Sequence, residues 1–204
     1  MNVRAAMRRA PVCALLLGLS QVALADVWIN ELHYDNSGTD ANERVEIIGT
    51  AGTSLTGWKV VNAGVPGDTS TQALARLPGL LQQHQPALVI VSIGGNDFLR
   101  RQGASTTRVQ VRQICELVRA SGAQVLLVAV PELSLLAAAG RLSDHALYAD
   151  IADELNIPLH RKGWSAVLAD ARLRSDQIHA NATGYAEFAQ GLVKTLRDSG
   201  FLVH

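Results

Sequence analysis

Cysteine is scarce in this chain, where only Cys13 and Cys115 occur among 204 residues. That excludes a disulfide framework and any cysteine-rich metal site. Net charge is missing too, because 18 Lys+Arg stand against 18 Asp+Glu. The electrostatic case for nucleic-acid or acidic-membrane binding is therefore absent. No fixed repeat or heptad run is visible, which removes collagen-like, repeat and coiled-coil architectures. The 48% apolar fraction is, by contrast, enough for a real core, and the length suits one domain of ordinary size.

Long apolar runs are lacking as well. The stretch Pro11–Ala25, broken only by Ser20 and Gln21, has 15 residues, too few to span a bilayer comfortably. It follows a segment carrying Arg4, Arg8 and Arg9 with no acid, and it ends in Ala23-Leu24-Ala25. A positive start, a short apolar core and a small-x-small end make residues 1–25 a secretory signal peptide with cleavage expected after Ala25. The protein is then expected to be periplasmic or secreted, with no stable membrane insertion after cleavage. Removal takes away three positive charges, so the mature chain carries −3 and keeps Cys115 as its one cysteine.

The mature chain changes character near Trp58. From 26 to 58 it reads as short strands and loops: VWINELHY, the turn material DNSGTDAN, RVEIIG and the loop GTAGTSLTG. From Lys59 onward strands and helices alternate. KVVNAGV reads as a strand, and TQALARLPGLLQQH as a helix with Leu74, Leu77 and Leu81 on one face. Pro78 should kink that helix or start it afresh. ALVIVSI is apolar at every position but one, as a strand buried on both faces of a parallel sheet should be. A helix with Val111, Ile114 and Val118 in register, the strand QVLLVAV, a helix over 146–155, the short strand NIPLH and a helix over 181–197 follow. Asn181 is the expected N-cap of the last helix, with Gly200 just past its end. This alternation predicts an α/β fold, a parallel sheet covered by helices on both sides.

Ligands of such sheets sit at the carboxyl ends of the strands, so the loops leaving them carry the functional reading. After KVVNAGV stands Pro66-Gly67-Asp68-Thr69-Ser70, where Gly67 leaves a backbone N–H open near a helix N-terminus. After ALVIVSI stands Gly94-Gly95-Asn96-Asp97, in which two glycines permit a tight turn and Asn96 offers an amide donor. Asp68, Asp97 and Ser70 suit helix caps. Before the last helix, Asp176-Gln177-Ile178-His179 can place a carboxylate on one imidazole nitrogen and leave the other as a base.

These three stretches, NAGVPGDTS (62–70), GGND (94–97) and DQIH (176–179), resemble the second, third and fifth conserved blocks of the SGNH, or GDSL, hydrolases. The similarity runs from about 59 to 202, roughly 70% of the chain, and looks closest to the bacterial arylesterase, thioesterase and lysophospholipase branch. The resemblance implies a three-layer α/β/α, flavodoxin-like fold and an ester or thioester hydrolase working through an acyl-enzyme on a small-molecule substrate. It implies that Gly67 and Asn96 form the oxyanion hole, that His179 is the general base and that Asp176 orients it. It implies no metal and no organic cofactor.

The family's first block, a strand ending in Gly-Asp-Ser with the nucleophile, is absent from the chain. In its place stands 27–58, which resembles the opening of bacterial lamin-tail-type β-sandwich domains, though 32 residues are far short of a sandwich. The organisation read from the sequence is thus a signal peptide (1–25), a β fragment (26–58) and an incomplete hydrolase-like domain (59–204). Ser37, in Asp35-Asn36-Ser37-Gly38, is the best substitute nucleophile, but Asn30, Glu31 and His33 interrupt the strand before it. An ordinary turn serine is the plainer reading. Ser54, Ser70 and Ser92 have no better claim. His33, His84, His145 and His160 share no ligand spacing, so no zinc site is expected. Glu31, Glu43, Glu46, Asp35 and Asp40 read as a solvated edge and turn, Trp164 as a packing residue, and Cys115 as a buried inert thiol. The run 133–139 either borders an acyl pocket or belongs to the core. Three functions fit: an exported ester hydrolase impaired by its missing block, a non-catalytic acyl- or carbohydrate-binding relative, or a surface module working through 27–58.

Overall fold

The computed structural model describes residues 59–132 and 142–201, together with the backbone of two strands nearer the N-terminus. Those strands, β1 (Val27–Leu32) and β2 (Val45–Gly49), pair antiparallel with an irregularity between Ile29 and Glu31. The expected features at 1–25, Ser37, Ser54 and 133–139 lie outside the described residues.

The remaining elements alternate as α1 (Ser70–His84), β3 (Leu88–Val91), α2 (Gly95–Leu99), α3 (Ala104–Ala120) and β4 (Gln124–Val128). They continue as α4 (Ala146–Leu155), β5 (Leu159–His160), α5 (Gly163–Ala169) and α6 (Ala182–Asp198). The strands form a parallel sheet in the order β3-β4-β5, with Val89 opposite Val125 and Leu127 opposite Leu159.

Both faces of this sheet are covered, and the strand residues divide between them by the two-residue period of a pleat. Val89, Val91, Val125 and Leu127 pack with Leu77 of α1, Val111, Ile114 and Val118 of α3 and Tyr148 and Ile151 of α4. Leu88, Ile90, Leu126 and Val128 point the other way, toward Val167 of α5 and Phe188, Leu192 and Leu196 of α6. A strand that is apolar at consecutive positions has no face to offer water, which is why the fold needs three layers. Cys115 lies in the first of these cores, where burial, and then the neighbouring Glu116 charge, push its thiol up to about 12. It is inert at neutral pH.

One expectation fails. KVVNAGV (59–65) is not a strand: it is irregular and exposed, with Val60 45%, Val61 38% and Val65 44% accessible. Its composition suits a sheet, but a strand exists only through a ladder with a neighbour, and no described strand gives it one. Of the two outcomes expected at Pro78, a fresh start is not seen, because α1 runs through it from Ser70 to His84. The other expected helices, α3, α4 and α6, keep their places, and Asn181 caps α6 by accepting from the Gly184 N–H at 3.0 Å.

The start of α6 is held unusually close to the loop before it. A Cβ on Gly184 would lie 2.0 Å from the Leu173 carbonyl oxygen and 2.9 Å from Val167. Ala is ordinarily the better helix former by about 1 kcal/mol. Here Gly184→Ala is expected to destabilise the protein instead, and thermal unfolding checks the sign. A raised melting temperature would contradict this close packing.

Candidate active site

The loop before α1 is set by its own polar groups. Asp68 N–H donates to Val65 O at 3.1 Å, closing a turn in which Gly67 takes the left-handed φ of +76°. Thr69, rather than Ser70, is the N-cap, its N–H donating to Gln72 Oε1 at 2.9 Å. The Asp68 carboxylate holds Arg76 through Nε at 2.9 Å and Nη2 at 2.5 Å.

The loop after β3 turns through Gly94, whose φ of +114° suits no residue with a Cβ. There is also no room, since a Cβ would stand 2.3 Å from the Tyr148 hydroxyl oxygen. That hydroxyl, fully buried, donates to Ile93 O at 2.7 Å. Burial, and then the Asp97 charge, push its pKa far up, so it stays a donor.

The two loops meet. Asn96 Nδ2 donates to Asp68 O at 3.1 Å, and Arg100 Nη2 donates to Gly67 O at 2.8 Å. The Asn96 amide has two N–H groups, so one remains for a ligand. Asp97, with no exposed surface, accepts from Ser70 N–H at 2.8 Å and from the Ser70 hydroxyl. Ser70 is thereby occupied and buried. Ser92 is exposed and accepts from Trp164 Nε1 at 3.3 Å.

Asp176 and His179 form the second pair. Asp176 Oδ1 accepts from the N–H groups of Ile178 at 2.7 Å and His179 at 2.8 Å, which leaves Oδ2 for His179 Nδ1 at 2.7 Å. A carboxylate on Nδ1 fixes the proton there and leaves Nε2 as the basic nitrogen. Loss of water around Asp176 works against its charge. Hydrogen bonds from the His179 ring and the two backbone N–H groups, with imidazolium attraction, outweigh that and hold the carboxyl below the usual range. The pair is open to solvent, with side chains 45% and 54% accessible.

Both sites lie at the carboxyl end of the sheet. Ser92 directly follows β3, and Trp164, which bonds it, stacks on Phe188 at 3.7 Å and meets Tyr185 edge-on at 5.8 Å. Tyr185 and Phe188 belong to the first half of α6, so the loop carrying His179 stands at the same edge as the loop carrying Asn96. The structure thus joins Gly67 to Asn96 through Asp68 and Arg100, and Asp176 to His179 directly. Among the described residues no group of three His, Cys, Asp or Glu side chains could hold a metal ion. Sequence reasoning missed the Asp97–Ser70 contact and the Trp164–Ser92 contact. Only the acid in the first turn of a helix and the indole N–H hinted at them.

The model of the GDSL-like lipase/acylhydrolase family matches residues 35–187. This chain belongs to that family. The match starts two residues before Ser37. Thioesterase 1/protease 1/lysophospholipase L1 of Escherichia coli is 39% identical over 142 residues, 68% of this chain and 67% of that protein. Esterase TesA of Pseudomonas aeruginosa is 44% identical over 73 residues, 36% of each chain. The crystal structure of TesA superposes with a TM-score of 0.60 at 29% identity, covering 69% of this chain and 78% of that one. The family is one of esterases with the SGNH fold, and the α/β arrangement of this member is theirs.

Asp176 should titrate below 3.8, the ordinary value for its carboxyl. A lowered folded-state value means that its contribution is complete above about pH 4 and is lost as the pH falls through that lower value. In His179→Ala the largest opposing bond is gone, so the titration should move back up. Carbon NMR of the carboxyl group reads both. An Asp176 titration unchanged by His179→Ala would contradict the ring contact.

Proposed function

We propose that this family member is an exported ester or thioester hydrolase by descent, with His179 as general base and Asp176 as the carboxylate that orients it. Gly67 N–H and the free N–H of Asn96 stabilise the oxyanion. The observation that carries this reading is the Asp176–His179 bond at 2.7 Å at the same sheet edge as the joined Gly67 and Asn96 loops. In the reaction, the base would take a proton from a hydroxyl as that oxygen attacks the acyl carbon. Charge then develops on the carbonyl oxygen, where two preset N–H donors act without reorganising. The names of the relatives, thioesterase, lysophospholipase and esterase, support an acyl ester or thioester of small size as substrate. Nothing in this chemistry calls for a cofactor.

The attacking group is the missing part. No Gly-Asp-Ser occurs in the chain, and the two described serines weighed as substitutes are engaged elsewhere: Ser70 is buried on Asp97, and Ser92 bonds Trp164. Loss of a nucleophile from an otherwise intact triad costs roughly a million-fold in turnover and leaves about a thousand-fold over water. We therefore read this member as impaired in turnover. The same absence favours a second reading, a binder of acyl groups that uses Gly67, Asn96 and His179 without turnover.

Purified protein is expected to show little hydrolysis of p-nitrophenyl acetate or butyrate above background. Robust turnover lost in both His179→Ala and Ser37→Ala would overturn the impairment and make Ser37 the nucleophile. Turnover lost in His179→Ala alone would point to another serine or to water. Export is checked separately, by N-terminal sequencing of the protein recovered outside the cytoplasm. The expected first residue is Asp26, and an intact Met1 would contradict cleavage.

A further inference from the structure

We propose that Asp97 is a positioning residue that holds the Gly67 loop at a fixed spacing from Asn96. It rests on the oxyanion reading of those two residues given above. Three observations carry it. Asp97 has no exposed surface, yet both of its oxygens are used on one residue, Oδ2 by the Ser70 N–H at 2.8 Å and Oδ1 by the Ser70 hydroxyl. Ser70 is three positions beyond Gly67, and Asp97 directly follows Asn96, so this contact across 27 positions joins the two donor loops at their roots.

The contact is also supported from behind. Gln110 of α3 lies against Ser70, and its Nε2 donates to Thr71 Oγ1 at 2.8 Å. Tyr148 of α4, which donates to Ile93 O, fixes the backbone that leads into Asn96. The other ties between the loops are weaker anchors. Arg100 reaches Gly67 O at the exposed surface, and the Asn96–Asp68 bond uses the very amide that must also serve a ligand. A buried carboxylate has no water to fall back on, so its two bonds to Ser70 are the ones that do not exchange.

The reporter is the side-chain amide signal of Asn96 in proton–nitrogen NMR spectra of the full chain, assigned by its loss in Asn96→Ala. Asp97→Asn keeps the shape but turns one acceptor oxygen into a donor facing Ser70. It is expected to shift the Asn96 signal toward that of a solvated asparagine. Ser70→Ala, which removes the hydroxyl and keeps the backbone bond, should give a smaller shift in the same direction. It decides the question alone should Asp97→Asn not fold. Leu196→Ala, a cavity in the core beneath α6, should lower stability and leave the signal in place. An Asn96 signal at its original position in Asp97→Asn or in Ser70→Ala overturns the positioning role, as does an equal shift in Leu196→Ala. The oxyanion reading fails separately, if octanoate added to the unmodified protein leaves the Asn96 signal unmoved.

Discussion

A parallel strand cannot be reached from its neighbour by a tight turn, so β3, β4 and β5 are each entered through a helix that returns along the sheet. This constraint delivers every strand-leaving loop to one edge and every helix start to the same edge. The consecutive apolar residues of β4, with Val125 and Leu127 on one face and Leu126 and Val128 on the other, demand helices above and below. From that demand follow the placement of α3 and α4 on one side and of α5 and α6 on the other. The loop 93–97 and the loop 174–181 are thereby delivered to the same end of the sheet, although they are some 80 positions apart in sequence.

The polar contacts divide into two kinds by burial. Asp97, Ser70 and Tyr148 are fully buried and fix backbone geometry. Asp176 and His179 are about half exposed, where an ion pair adds little to stability. Their geometry is nonetheless closely specified, with three hydrogen bonds converging on one carboxylate. A contact that contributes little to folding and is so well defined suits chemistry better than structure. The buried set holds the frame while the exposed set is left able to exchange protons.

Much of this was legible from residues alone. The helices α3, α4 and α6 follow from three-to-four-residue apolar spacing, and the Asn181 cap from its place before the last apolar period. The pairing of Asp176 with His179 is local, three positions apart, and so visible in sequence. What was not legible depends on distant partners. The segment 59–65 has strand composition but no described neighbour, and ladder bonds cannot be read from one segment. The short helices α2 and α5 are too brief for a periodic signal and are held by tertiary contacts such as Tyr148 to Ile93 and Trp164 on Phe188. Asp97 reads as a helix cap, and it does satisfy a helix start, but that of α1, 27 residues earlier in the chain.

The proposed state of this family member is a base and an oxyanion site set for acyl transfer without a serine activated to begin it. An alkyl fluorophosphonate discriminates directly, because it forms a stable bond to a serine whose hydroxyl is deprotonated by a neighbouring histidine and ignores ordinary serines. Intact-protein mass spectrometry after exposure should show the unmodified mass. A single phosphonyl adduct that maps to a serine and disappears in His179→Ala would contradict the proposal, and it would identify the nucleophile.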